Sequence, residues 1–185
     1  MVIIARDGLR ALTHRAVDRE LDLPPGSTSY YLRTHRLLVE AVVHRLAERT
    51  SSDVSVATPS ASTAATVGSV EELSHSLSAL LDRLAARRDD HLVRWALAVD
   101  LTRDPELHAL LTSRSPVRAE LLQRAQDLLD RLGVVDAARH APGLVSLVDG
   151  LLFDRLAGSG VEGRPAEAVA VFRAYLSGLV QATSA

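Results

Sequence analysis

The sequence predicts an all-α fold in two parts, a small helix-turn-helix at the N-terminus and a larger helical domain after it. Three observations predict this. Apolar residues recur at helical spacing from end to end. No run of alternating β-branched residues is bounded by turn signals, so a sheet is not expected. The stretch TSSDVSVATPSASTAATVGS, residues 50–69, holds no cation and separates two periodic regions. It reads as a flexible linker, or alternatively as an irregular packed loop. The expected division is therefore 1–49, 50–69 and 70–185.

Each element follows from its own signals. Val2, Ile3, Ile4, Ala5 and Leu9 form the tail of an amphipathic helix that ends near Gly8. Thr13 is an N-cap for a short helix running to about Leu21. Asp22, Leu23 and Pro24 break the chain. Pro25 suits the first turn of a further short helix, where its missing N–H costs nothing, and that helix reaches about Leu32. A longer helix is expected from about Thr34 to Glu48, with Leu38, Val42 and Leu46 on one side. In the second region Leu73, Leu77, Leu80, Leu81 and Leu84 make a helical stripe. His91 to Leu101 is apolar nearly all round and suggests a central buried helix. Leu121, Leu122, Ala125, Leu128, Leu129 and Leu132 stripe a helix that stops at Gly133. Leu144, Val148, Leu151 and Leu152 stripe the next, and Val169, Phe172, Leu176 and Leu179 the last.

Composition narrows the function classes. The chain of 185 residues is 47% hydrophobic, enough to bury a substantial core. It contains neither Cys nor Lys, which excludes disulfides, thiolate metal sites, and cysteine or lysine nucleophiles. Residues 1–50 carry eight Arg against six acidic residues, and the remainder thirteen against seventeen, within a net charge of −2. A mildly basic head on an acidic body hints at nucleic acid at the head. No apolar run reaches the length of a membrane span, and no signal peptide is recognisable, so a cytoplasmic protein is expected. The seven His residues lack metal-ligand spacing, and nucleophile-elbow, P-loop and dinucleotide motifs are missing; neither a metal, a cofactor nor an enzyme is expected.

Two short helices joined by a tight turn, with a third before them, have the layout of a DNA-reading helix-turn-helix. The second of them, PPGSTSYYL at 24–32, has an unusual composition. Ser27, Thr28 and Ser29 are poor helix-interior residues, but they are short hydroxyl donors at a helix N-terminus, where free N–H groups favour phosphate. Tyr30 and Tyr31 add phenols, and Gly26 removes a side chain where a backbone would approach. The same composition also fits an ordinary cap cluster on a structural helix.

The segment Gly8 to Leu46 resembles the DNA-binding region of the TetR family of transcriptional regulators. Thr13 matches the Thr that opens the family's second helix, and Gly26, Ser27 and Thr28 match the start of its recognition helix. Tyr31 falls at a DNA-contacting His or Tyr, Leu32 at a usual Phe, and His35 at a phosphate-touching Lys. The resemblance implies a DNA-contacting set of Thr13, Arg15, Gly26, Ser27, Thr28, Ser29, Tyr30, Tyr31, His35 and Arg36. Thr28 and Tyr31 are expected to read bases, and His35 and Arg36 to meet phosphates. It also implies a regulatory and dimerisation domain from about residue 70. Its helices at about 137–157 and 165–182 would pair with a second copy, and its small-molecule effector would be lined by His91, Trp95, Val99, Leu121, Ala125, Asp149 and Phe153. Trp95 suits a core as well as a pocket wall. Asp149 suits a pocket anchor, an interface hydrogen-bonder or a solvated position. The expected partners are thus a double-stranded operator, a second copy of the chain and an unknown effector, with repression as the family habit.

Three departures stand out. Leu21-Asp22 replaces the usual Ala-Gly, Leu21 being large for the turn and Asp22 tolerating a left-handed conformation. Asp18 replaces a small apolar residue. The first helix is about two turns shorter than usual and lacks a basic arm, although a core of Val17, Leu23 and Leu38 needs covering. Weak DNA binding and a natural start upstream of Met1 are therefore expected. The rival reading is a helical ligand-binding dimer that has lost DNA binding; an all-helical enzyme is a distant third.

Overall fold

The computed structural model describes residues 1–57, 68–158, 160 and 165–183, and among these every regular element is helical. The ten α-helices are α1 (Val2–Asp7), α2 (His14–Glu20), α3 (Ser27–Tyr31), α4 (His35–Ala57), α5 (Val70–Ala85), α6 (Arg88–Asp100), α7 (Pro105–Leu111), α8 (Pro116–Arg131), α9 (Ala137–Ala157) and α10 (Pro165–Thr183). Single 3-10 turns follow α1 and α6. Helix α4 runs on to Ala57, through the start of the stretch expected to be a linker. Residues 58–67 of that stretch lie outside the described residues. No described helix is long and apolar enough to cross a membrane.

The chain forms two compact units, Met1–Ser51 with Arg88–Arg118, and Ser52–Arg87 with Ala119–Ala185. This grouping differs from a division near residue 70, because α6 and α7 belong with the N-terminal helices. The reason lies in the apolar pattern of α6. Val93, Leu97 and Leu101 recur every four residues and are buried with Ile4, Leu12, Leu38, Val39, Val43, Leu46 and Leu107 in one cluster. Val17 and Leu32 pack against it, half-buried. Leu23, expected in this core, is 42% exposed, because the turn carries it outward. Elsewhere on α6 Leu92, Trp95, Ala96 and Ala98 are only half-buried and Val99 is 70% exposed, so the helix is not buried all round. An ion pair of 3.0 Å from Arg49 to the buried Asp90 fastens α4 to α6.

The second unit is built on α5, α9 and α10. Ser69 caps α5 by accepting the Glu72 N–H at 3.2 Å, and the Glu72 carboxylate accepts the Gly68 N–H at 3.0 Å, a reciprocal arrangement that satisfies two end donors. Leu73, Leu77, Leu81 and Leu84 bury the predicted stripe, together with Leu144, Leu152, Leu156, Phe172 and Leu176. Arg173 binds Glu71 at 2.5 Å, and Arg155 pairs with Asp82. Gly143 has a packing role, since a Cβ there would lie 2.5 Å from the Tyr175 hydroxyl.

Because α4 and α6 share one core, a cavity in α6 should loosen both. Leu97→Ala, at a fully buried position, is expected to destabilise the first unit by about 2–5 kcal/mol. Amide exchange should accelerate together along α4 and α6. Unchanged protection along Leu38–Leu46 would contradict a common core.

Candidate nucleic-acid interface

The helix-turn-helix is built from α2 and α3. Thr13 opens α2 as expected, its Oγ1 accepting the Ala16 N–H at 3.1 Å. The far end closes with Leu23 N–H donating to the Asp18 carbonyl at 2.8 Å and Asp22 N–H to Arg19 at 3.3 Å. This is the pattern of a helix stop whose next residue is left-handed, and Asp22 has φ of +51°. Asp22 thus fills the usual glycine position, and Leu21 points away, 61% exposed, without crowding the turn.

Gly26, at φ +93°, then reverses the chain. It precedes α3, so Pro25 stands before the helix rather than in its first turn. The first donors of α3 find no partner within their own helix. Asp18 supplies one. Its Oδ2 accepts the Gly26 N–H at 2.8 Å, and its Oδ1 accepts both the Thr28 N–H at 2.8 Å and the Thr28 hydroxyl at 2.5 Å. Asp18 is 3% exposed and Thr28 8%. At the other end of α3, His14 Nε2 donates to the Leu32 carbonyl. The two α2 residues are four apart, on one face, and hold both ends of α3.

The expected contact residues now separate. Tyr30 and Tyr31 are 77% and 80% exposed, and their rings meet edge to face with centroids 5.1 Å apart. Ser29, Arg15 and His35 are exposed as well. The protons of Ser27 and Ser29 are turned inward, to the Pro24 carbonyl at 2.7 Å and the Gly26 carbonyl at 2.9 Å, so their outward capacity is as acceptors. Thr28, expected to read a base, is instead buried against Asp18. Arg36, expected on phosphate, is held by Glu40 at 3.3 Å, Glu106 at 2.7 Å and Asp104. Thr13 acts as the cap of α2. Sequence reasoning missed His14 and Asp18 as the holders of α3, and Arg33, exposed just beyond it. The available signal was a carboxylate in a register where an apolar residue belongs.

The expected effector residues fall in both units. In the first, His91 is buried and its ring lies 5.9 Å from that of Trp95, over which Arg94 stands at 5.6 Å, while Val99 is open to solvent. In the second, Ala125 is buried, Leu121 and Asp149 are half-buried, and Phe153 is 48% exposed.

The Thr28 hydroxyl first, then the Thr28 and Gly26 amides and nearby His14, hold the Asp18 carboxyl below its ordinary range against the opposing effect of burial. A depressed folded-state pKa gives stability that is complete above the unfolded value and lost as pH falls through the folded one. The Thr28 and Gly26 amide resonances should therefore stay constant from neutral pH into the ordinary carboxylate range and shift only in more acid solution. Asp18→Asn should abolish that transition; a transition at the ordinary Asp value in the native chain would contradict the three-bond geometry.

The model of the tetracyclin repressor-like C-terminal domain matches residues 68–182, more than half of the chain. A TetR-family member from Streptomyces coelicolor A3 superposes with a TM-score of 0.68 over 95% of this chain and 91% of that one, at 24% identity, which shows a common fold. No curated protein matches. A helix-turn-helix whose ends are set by Thr13, Asp22 and Gly26 thus precedes a region matched by the family's own C-terminal model, and the chain belongs to the TetR family of transcriptional regulators.

Proposed function

We propose that the protein is a homodimeric DNA-binding repressor released from its operator by a small-molecule effector. The observation that carries this reading is the two-sided construction of α3. Its inner side is fixed by Asp18 and His14, while its outer side presents Ser29, Tyr30 and Tyr31 to solvent. Two exposed aromatic rings on a five-residue helix have no packing purpose within the unit, and they suit the edges and methyl groups of a major groove. Arg15, Arg33 and His35 flank them and suit phosphates.

Two features support pairing with a second copy through α9 and α10. Phe153 and Val171 are 48% and 38% exposed. Gly150 and Gly178 have no neighbour within 4 Å of where a Cβ would stand, so nothing in their own subunit calls for glycine there. Close approach of another helix would. A two-fold dimer would present two recognition helices to two half-sites. The effector site is proposed at α6 beside His91 and Trp95, on a helix whose Val93 and Leu97 lie in the core of the DNA-binding unit.

The deciding experiment is selection of duplexes from a randomised pool by the full chain, followed by binding titrations. A specific sequence should be enriched, and Tyr31→Ala should weaken it by about 1–3 kcal/mol while leaving the chain folded. Enrichment of no sequence would refute DNA recognition. Sedimentation equilibrium should give twice the chain mass of 19.9 kDa; a strict monomer would refute the pairing. An effector at α6 should shift Trp95 fluorescence and weaken the selected complex together, and a ligand that does only the first would not be the effector.

A further inference from the structure

We propose that Asp18 is a positioning residue for sequence recognition, acting through Thr28, so that the two form a matched pair that sets where the tyrosines of α3 stand. The role rests on the DNA-binding reading above. Helix α3 has five residues, too few to be stable or to hold a fixed place by itself. Apolar contact alone would let so short a segment slide, because such contact is non-directional. Hydrogen bonds with fixed partners do not allow that.

The polar contacts are arranged to do this work. Both Asp18 oxygens are used, Oδ2 by Gly26 and Oδ1 twice by Thr28. Thr28 alone contributes a side-chain donor, and it lies three residues before Tyr31. His14, one turn earlier on α2, fixes Leu32, the residue after Tyr31. The Tyr30–Tyr31 pair is therefore bracketed by two contacts from one helix. Burial makes the arrangement exacting. A carboxylate at 3% exposure that loses one partner leaves a charge or a donor unsatisfied, whereas a correctly filled site costs nothing further.

A test needs a readout that a merely structural role would not move. Full-length variants are titrated against the duplex selected by the native chain and against an unrelated duplex of equal length. Asp18→Asn keeps the shape but sets amide protons against the Gly26 or Thr28 donors. Thr28→Val removes only the hydroxyl and retains both backbone bonds. Thr28→Ser restores the hydroxyl. Asp18→Asn and Thr28→Val should each lower affinity for the selected duplex by about tenfold. Affinity for the unrelated duplex, and its salt dependence, should stay within about twofold, because phosphate contacts do not depend on the register of α3. Thr28→Ser should bind within about twofold of the native chain. The double variant should lose less than the product of the single losses, as expected of groups in direct contact.

Thermal unfolding of each variant shows whether it is folded. Thr28→Val, the milder change, carries the test if Asp18→Asn does not fold. Equal losses on both duplexes, or no loss on either, overturn the positioning role while leaving DNA recognition intact. Failure of the native chain to select any sequence overturns the DNA-binding reading, and this role with it.

Discussion

A helix of five residues makes at most one or two of its own hydrogen bonds, so its existence depends on what it is fastened to. In this chain that dependence falls on one carboxylate. Asp18 accepts three hydrogen bonds from the start of α3, and it can do so only because Gly26 adopts a left-handed conformation that turns the chain back toward α2. Asp22, left-handed at the end of α2, supplies the first half of the same reversal. The exposed tyrosines are therefore the outermost consequence of two left-handed backbone positions and one buried charge. Thr28 belongs to this internal construction, and a residue that faces Asp18 at 8% exposure does not face DNA at the same time.

The platform beneath α2 and α3 is larger than the first fifty residues. Small helical heads bury too little surface to be comfortably stable. Here the deficit is met by residues distant in sequence: Val93 and Leu97 of α6, Leu101 of the 3-10 turn after it and Leu107 of α7 join Leu38, Val39, Val43 and Leu46 of α4. Charge reinforces the joint. Arg36, at the start of α4, meets Glu40 and two acidic residues at the start of α7, Asp104 and Glu106; Asp104 also accepts the Leu107 N–H at 3.2 Å as the cap of α7. Each exposed pair is worth little singly, but a cation shared by three carboxylates is ordered more firmly than one in an isolated pair. That same engagement is what removes Arg36 from the set of simple phosphate contacts.

Much of this was legible in the sequence, and what was not has physical causes. Helix positions followed from period and caps, so Thr13, Gly8 and the stripes of α5 and α8 to α10 could be placed from local signals. The left-handed turn at Asp22 followed from the resemblance, which places a Gly there, together with the tolerance of Asp for that conformation. The membership of α6 in the first unit did not follow, because a Val-Leu stripe states that a face is buried and not what buries it. The length of α4 was obscured by Ser, Thr and Val, residues whose weak helical preference is overridden by their continuation of an established helix. Leu23 was assigned to the core by its apolar character, although a turn decided its direction. Asp18 was visible as an anomaly, but the partner that made it sensible lay ten residues away across a turn.

The packing of α6 into the core of the first unit bears on what a ligand bound beside it would do. A ligand shifts an equilibrium only by the difference in its affinity for the two states. A helix whose one side is packed into the core beneath α4 cannot rotate or translate without disturbing Leu38, Val39 and Val43, because packed cores are bistable rather than smoothly deformable. His91 and Trp95 lie on that same helix, their rings 5.9 Å apart, Trp95 half-buried. Any molecule that bound against them and preferred a displaced α6 would be opposed by the core and would move α4 to the extent that it prevailed. Because α4 begins only three residues after Leu32, whose carbonyl His14 holds, such a movement would arrive at α3 through a short and constrained connection. The polar fastening of α3 to α2 would then matter twice: it fixes the tyrosines when the core is at rest, and it obliges α3 to travel with α2 as one body when the core shifts.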